Sequence, residues 1–226
     1  MKTSHRDVFI VQQSFERYHT MSRIEVLVEG SSDVPAIREV LTRKFLLTEN
    51  HHFRIHPHVG RGNLPDKILK TPELQNRSLL YQLPAKLRGF SRWFTKHDWV
   101  LVLVDADNTP CSELLIDLQE MLKKLPQHPR VLFRIAVEET ESWFIADTDA
   151  IKAAYPKSSI TNLRKIKPDA ICGAWEKLAE AIKAKGVDKT AWAEAISPHL
   201  DLDTPSSPSL KKLIEGIERE LEVSSK

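Results

Sequence analysis

The sequence lacks several features that would each identify a class of protein. It has two cysteines in 226 residues, Cys111 and Cys172, and they form no motif with each other. Such sparse cysteine use is typical of a reducing cytoplasm. No run of about 18 apolar residues occurs, so no membrane-spanning helix is predicted. We therefore expect a cytoplasmic protein that does not bind a membrane.

An excess of charge of one sign is also missing. The chain has 33 Lys and Arg against 31 Asp and Glu, a formal net charge of +2. This balance does not by itself indicate nucleic-acid binding, although 33 basic residues can still form a local basic surface. The chain also lacks a glycine-rich phosphate-binding motif ending in Lys-Ser or Lys-Thr, so any ATPase activity must come from another chain.

The overall composition is that of a globular domain, with 41% hydrophobic and 28% charged residues. The length suits one large domain, or one core with a smaller appendage. Residues 1–22 are polar and lack the apolar core of a signal peptide. We expect them to form a flexible N-terminal segment.

Strand-like and helix-like patterns alternate between residues 24 and 155. Short β-branched runs predict strands, and apolar residues spaced by three or four predict the helices between them. This alternation predicts a Rossmann-like α/β domain over 23–155, with a mostly parallel sheet and flanking helices. No strong strand follows Pro156, so we expect 156–226 to be a helical C-terminal extension packed on the domain. The predicted strands are 24–30, 52–58, 99–105 and 131–137, and the predicted helices are 34–47, 74–94, 112–124, 138–155, 174–185, 189–196 and 210–221.

Acidic residues follow three of the predicted strands. Glu29 ends the first strand, Asp105 and Asp107 end the central apolar run Val100–Val104, and Glu138, Glu139 and Glu141 follow the last strand. Open α/β sheets bind ligands at the carboxyl ends of their strands, where these residues would meet. Carboxylates placed together favour a hard cation such as Mg²⁺ or Mn²⁺. The pattern therefore predicts metal-assisted phosphoryl transfer.

At these residues the sequence resembles the Toprim fold of topoisomerases, primases and OLD-type nucleases. Val28-Glu29-Gly30 and Asp105-Ala-Asp107 match the Glu-Gly and Asp-x-Asp signature of that fold. The chain is more closely similar to a bacterial Toprim-like group of uncharacterised-domain proteins, often encoded beside ATPases. The matching segments are Val28-Glu29-Gly30-Ser-Ser-Asp33, Asp105-Ala-Asp107, Glu139-Thr-Glu141-Ser-Trp143-Phe-Ile-Ala-Asp147, Asp188-Lys189-Thr and Ser207-Pro-Ser209-Leu.

The resemblance implies a Mg²⁺- or Mn²⁺-dependent nuclease or nuclease subunit that cleaves DNA or RNA, with a role in phage defence beside a partner ATPase. The sequence leaves homo-oligomerisation open. Glu29 and Lys189 would be catalytic, Glu29 as general acid or base and Lys189 by neutralising charge in the transition state. Arg61, between two glycines, would contact phosphate, with Gly30 and Asp33 nearby. The metal ligands would be Asp105, Asp107, Glu139, Glu141 and Glu29.

Three alternatives remain open on the sequence. Asp105-Ala-Asp107-Asn-Thr109 also fits the nucleophile loop of haloacid-dehalogenase-type phosphatases, although that loop usually lies on the first strand. The same segment suits a metal-dependent ribonuclease of the NYN kind. A non-catalytic partner that keeps the fold and regulates an ATPase is the third alternative.

Each acidic residue also has a structural interpretation. Asp33 could serve only as a helix cap, and Glu139 and Glu141 could serve only to favour a helix N-terminus.

Overall fold

The structure, a computed structural model, describes residues 22–106, 110–136, 139–169 and 173–224. The predicted flexible segment falls outside these ranges except for Ser22. So do Asp107, a predicted metal ligand, and Glu138.

Four strands form one parallel sheet in the order β2-β1-β3-β4. Because all four strands run the same way, their carboxyl ends lie along one edge of the sheet. Strand β3 occupies a central position and is buried from Trp99 to Val104, and only its last residue, Asp105, is partly exposed. The strands are β1 (Ile24–Val28), β2 (Phe53–Pro57), β3 (Trp99–Asp105) and β4 (Arg130–Ala136).

Helices cover both faces of this sheet, as the apolar runs in the strands require. The helices are α1 (Asp33–Glu39), α2 (Leu79–Phe90), α3 (Cys111–Lys123), α4 (Glu141–Ala146), α5 (Thr148–Ala154), α6 (Ala174–Ile182), α7 (Lys189–Ile196) and α8 (Pro208–Ser224). On one face, Leu27 and Val102 pack against α2 and α3. On the other, Val26 and Leu101 share a core with α1 and with helices of the C-terminal extension. The predicted α/β fold with a helical C-terminal extension is confirmed.

Three predicted helices differ from those observed. The predicted helix 138–155 is two helices, because Asp147 leaves the helical conformation and its carboxylate accepts a 3.0 Å hydrogen bond from the Ala150 amide. The predicted helix 34–47 is α-helical only to Glu39 and continues as a π-helical segment, Val40–Lys44. The predicted helix 74–94 is confined to Leu79–Phe90, which includes Pro84.

The C-terminal extension is also joined to the sheet domain by polar contacts. Arg43 donates hydrogen bonds to the carbonyls of Ser197 and Leu200, at 3.2 and 3.1 Å.

No helix in the described part of the chain has both the length and the apolar character needed to cross a bilayer.

Candidate active site

Glu29 follows strand β1, and Asp105 is the last residue of the adjacent strand β3. The two residues meet at the carboxyl edge of the sheet. The Asp105 amide donates a 2.9 Å hydrogen bond to Oε1 of Glu29. Strands β1 and β3 are in register from Ile24 with Trp99 onward, which brings their ends together. Two predicted site residues that are 76 positions apart are therefore in direct contact.

Asp33 adds a third carboxylate, which is almost completely buried. Its Oδ2 accepts a 2.9 Å hydrogen bond from the Gly30 amide, and its Oδ1 accepts one of 2.8 Å from the Thr140 hydroxyl. Burial raises the pKa of Asp33, and these hydrogen bonds only partly oppose the shift. Asp33 is the first residue of α1, and Ser32 before it makes no side-chain capping hydrogen bond. The Asp33 carboxylate links the loop after β1 to the segment before α4.

The Asp105 carboxyl group is strongly perturbed by its surroundings. Burial raises its pKa well above the ordinary value, and the negative charges of Asp33, Glu29, Glu141 and Glu139 raise it further. A carboxylate crowded by four others is unfavourable in the folded protein unless a cation or a proton compensates.

Lys189 is the basic residue that faces part of this charge. Its ammonium lies 3.0 Å from Oε1 of Glu139 and 3.2 Å from Oε1 of Glu141. Burial alone would lower the pKa of Lys189, but Glu141 and Glu139 outweigh it, so the pKa is raised. Burial raises the pKa of Glu141, and Lys189 opposes that shift.

The position of Lys189 depends on the C-terminal extension. It is the first residue of α7, and the carboxylate of Asp188 caps that helix by accepting a 2.9 Å hydrogen bond from the Ala191 amide. Thr190 reaches the loop after β1, with its hydroxyl 3.0 Å from that of Ser31. The extension thus brings Lys189, which lies 160 positions after Glu29 in the sequence, against Glu139 and Glu141 in the predicted site.

Arg61 reaches the same edge from the loop after β2. Its Nη1 donates to the carbonyls of Asp105 and Ala106, at 3.1 and 2.9 Å. In this arrangement the guanidinium holds the backbone at the end of β3. Its predicted contact with phosphate stays a prediction.

The carboxylate of Asp169, which no sequence pattern indicated, helps to position the Glu-x-Glu-x-Trp segment. The carboxylate of Asp169 accepts hydrogen bonds from the Ser207 hydroxyl at 2.8 Å and the Ser209 amide at 2.6 Å. Trp143 Nε1 donates a 2.8 Å hydrogen bond to the Ser209 hydroxyl. These contacts join the two segments Ser207-Pro-Ser209-Leu and Glu139-Thr-Glu141-Ser-Trp143. Asp169 itself, at a positive φ of 56°, had no signal in the sequence.

The donor atoms at this edge are of the kind that Mg²⁺ and Mn²⁺ select, since they are carboxylate oxygens. Within the described ranges, however, no three acidic, His or Cys side chains already converge as a preformed metal site. Mg²⁺ commonly uses one or two protein carboxylates and keeps several waters, so Glu29 and Asp105 are a sufficient start for such a site. The roles of the predicted ligands stay predictions.

The structure brings six predicted site residues to one edge of the sheet. They are Glu29, Asp33, Asp105, Glu139, Glu141 and Lys189. Arg61 and Gly30 border them.

Comparisons with known proteins give few matches. No curated protein matches the chain. A solved structure of the C-terminal region of the Xanthomonas campestris pv. campestris OLD protein aligns with a TM-score of 0.48 at 16% identity, covering 90% of this chain and 98% of that one. A likeness at this level carries no information about activity. The family described as "Domain of unknown function (DUF4276)" matches residues 28–218, so the chain belongs to the DUF4276 family.

Proposed function

We propose that this protein is a metal-dependent phosphodiesterase that cleaves nucleic acid. The observation that carries the proposal is the burial of Asp105 together with the crowding of Asp33, Glu29, Glu141 and Glu139 around it. Burial first, and the four negative charges second, raise the pKa of Asp105 well above its usual range. Such an arrangement costs folding free energy at neutral pH, so a function that requires negative charge is the simplest reason for it. The site lies where parallel sheets bind ligands.

Glu29 and Asp105 would hold Mg²⁺ or Mn²⁺, together with the predicted ligand Asp107. A divalent cation supplies Lewis-acid stabilisation of the phosphoryl oxygens and lowers the pKa of a bound water. The remaining roles belong to the protein. Besides holding the metal, Glu29 would accept or donate the proton.

Lys189 would bind the substrate phosphate and neutralise charge that develops in the transition state. Glu139 and Glu141 hold its ammonium at the edge of the sheet, at 3.0 and 3.2 Å. Asp33 and Thr140 would fix the loop that carries Glu29, and Arg61 would fix the backbone that carries Asp105. Partial burial of these groups strengthens each electrostatic interaction with the substrate.

The alternatives fit the contacts less well. A phosphatase that used Asp105 as its nucleophile would leave the hydrogen bond between Glu29 and the Asp105 amide without a chemical role. A non-catalytic partner of an ATPase would have no use for a buried Asp105 carboxyl group crowded by four other carboxylates. A partner ATPase and a role in phage defence rest on the sequence resemblance and stay predictions.

The test is a cleavage assay on plasmid DNA, single-stranded DNA and RNA, with Mg²⁺, Mn²⁺ or EDTA. We expect cleavage by the wild-type protein with Mg²⁺ or Mn²⁺, and none in EDTA. The double variant Asp105→Ala, Asp107→Ala should lose it, because both substitutions remove predicted metal ligands.

Asp117→Asn is the matched control, because Asp117 is an exposed acid on α3, away from the site. This control should cleave as the wild type does. Cleavage that persists in the double variant would contradict the proposal, as would the absence of cleavage with every substrate and metal.

A further inference from the structure

A polar cavity of about 490 Å³ lies between the loop that follows β2 and helix α2. The polar and aromatic side chains that line it include Asn63, Asp66, Lys67, Lys70, Asn76 and Tyr81. None of them belongs to the carboxylate site described above. We infer that this cavity binds an unpaired nucleotide of the substrate, next to the phosphate that is cleaved; this inference rests on the proposed function.

The cavity is already formed, because its loop is fixed at several points. Arg88 donates a 2.5 Å hydrogen bond to the Ile68 carbonyl, and Gln82 donates one of 2.5 Å to the Asn76 carbonyl. The Leu80 amide donates to the Arg61 carbonyl at 2.8 Å. Gly62, at φ +63°, lies so close to Ser78 that a Cβ would be 2.1 Å from its hydroxyl oxygen. A ligand would therefore lose little free energy in ordering this loop.

The side chains of the cavity match the parts of a nucleotide. Lys67 and Lys70 are exposed, and neither forms an ion pair within the described part of the chain, so both can contact phosphate. Tyr81 offers an aromatic surface for stacking, and the side-chain amide of Asn63 can hydrogen-bond to a base edge. The Asn76 side-chain oxygen already accepts hydrogen bonds from Ser78, so Asn76 offers a base only its NH₂ group. A base inside a duplex is stacked and paired, so it cannot enter such a cavity unless it is first extruded. The cavity thus favours single-stranded substrate or unpaired ends.

Arg61 joins the cavity to the carboxylate site. The residue that follows it, Gly62, lines the cavity, while its guanidinium lies 3.1 Å from the Asp105 carbonyl. The two sites are therefore separated by about one arginine side chain. A nucleic-acid strand that reaches Asp105 would pass Lys67 and Lys70 on this side.

The test measures binding directly, so that it does not depend on cleavage. A labelled single-stranded oligonucleotide and the corresponding duplex are titrated in EDTA over a range of salt concentrations. Lys67→Gln with Lys70→Gln should reduce the slope of log K against log salt by about 1.4, because each lost phosphate contact removes about 0.7 for a single strand. Tyr81→Leu should weaken binding of the single strand at least about fivefold through lost stacking. Binding of the duplex should be unaffected by Tyr81→Leu.

The control is Lys123→Gln with Lys124→Gln, which removes the same charge at the exposed C-terminal end of α3. That end lies by the amino-terminal edge of the sheet, opposite the site. If the cavity variants bind as this control does, or if the wild type does not bind single strands, the inference is wrong. Cleavage that continues normally in such variants leaves the proposed nuclease intact. Wild-type binding that depends on the cavity, without cleavage in any metal, would support nucleotide binding in the cavity and contradict the proposed function.

Discussion

The Asp105 amide donates a 2.9 Å hydrogen bond to Glu29 Oε1 across the ends of two adjacent parallel strands. This contact fixes one oxygen of the Glu29 carboxylate at the place where the negative charges of the sheet edge converge. Because the donor is a backbone amide, substituting the Asp105 side chain leaves it in place. The charge of the site can therefore be changed by mutation while its geometry is kept.

Asp105→Asn should stabilise the protein at neutral pH while abolishing cleavage. The folded-state pKa of Asp105 is raised above its ordinary value of 3.8 by burial and by four carboxylates. Between those two pKa values the folded state binds more protons than the unfolded state, so stability falls as pH rises through this window. Asparagine removes the charge that causes this loss. The measurement is thermal unfolding in EDTA at pH 5 and pH 8, where 1 kcal/mol corresponds to about 2–4 °C.

The gain from Asp105→Asn should be larger at pH 8 than at pH 5. Asp117→Asn, at an exposed position of α3, should change the unfolding temperature little at either pH. Equal effects of the two substitutions would show that the crowding around Asp105 costs no stability.

A divalent cation should stabilise the wild-type protein and not the variant with Asp105→Asn and Glu29→Gln. A ligand that binds only the folded state adds about 2.7 kcal/mol at a concentration of 100 Kd. The same crowding of carboxylates that destabilises the free protein provides the free energy of binding. The measurement is the unfolding temperature as a function of Mg²⁺ and Mn²⁺ concentration, with Asp117→Asn as the control. A parallel rise in the double variant would mean that the cation binds elsewhere.

Lys189→Met should destabilise the protein by about 1–3 kcal/mol at pH 8, less than the 3–5 kcal/mol typical of breaking a fully buried ion pair. The substitution leaves Glu139 and the buried Glu141 without the ammonium that lies 3.0 and 3.2 Å from them. Burial raises the pKa of Glu141, so lowering the pH toward 5 should protonate this carboxyl group more readily than an exposed glutamate. The stability lost in Lys189→Met should therefore be smaller at pH 5. Urea unfolding at the two pH values measures this difference.

Adding Glu141→Gln to Lys189→Met should restore part of the stability, since the double variant no longer buries an unpaired charge. Cleavage should stay absent in both variants. Lys185→Met, at an exposed position before α7, is the control. Additive effects of Lys189→Met and Glu141→Gln would show that the two side chains do not interact.

The sequence was sufficient to predict the sheet and the strand ends that build the site. An apolar, β-branched run such as Val100–Val104 is typical of a strand buried on both faces. The position of Asp105 at the carboxyl end of that strand follows directly. Once parallel strands are predicted, the meeting of Glu29 with Asp105 follows from the topology. Helix α7 was also predicted at its observed bounds, because Gly186 and Pro198 separate it from the neighbouring helices.

What the sequence did not provide were contacts made by single side chains across long distances. The link from Trp143 to Ser209 and Asp169 depends on how the C-terminal extension returns to the sheet, and no local pattern encodes that path. Lys189 was selected only through a family resemblance, because one lysine among 33 basic residues has no distinguishing local signal. The break at Asp147 was missed because apolar periodicity continues across it, while its capping side chain decides the conformation.

The two helical glycines Gly216 and Gly89 provide a matched pair of stability predictions. A Cβ at Gly216 would lie 2.0 Å from Nη2 of Arg134, whereas a Cβ at Gly89 would meet nothing within 4 Å. Arg134 donates hydrogen bonds to the carbonyls of Lys212 and Phe133, at 3.0 and 2.8 Å, so displacing its guanidinium forfeits both. Gly89→Ala should stabilise the protein by about 0.5–1 kcal/mol through helix propensity. The free energy of unfolding of the Gly216→Ala variant should be about 1–2 kcal/mol lower than that of Gly89→Ala. Both variants gain the same helix propensity, but Gly216→Ala loses those hydrogen bonds.

Urea unfolding of the two glycine variants, alone and in an Arg134→Ala background, separates the causes. Without the guanidinium, Gly216→Ala should become stabilising, and Gly89→Ala should be unchanged because it is remote from Arg134. Equal gains from both substitutions in the wild-type background would mean that the guanidinium relocates at no cost. In that case the hydrogen bonds from Arg134 to the Lys212 and Phe133 carbonyls would contribute nothing measurable, and Gly216 would not be needed for packing.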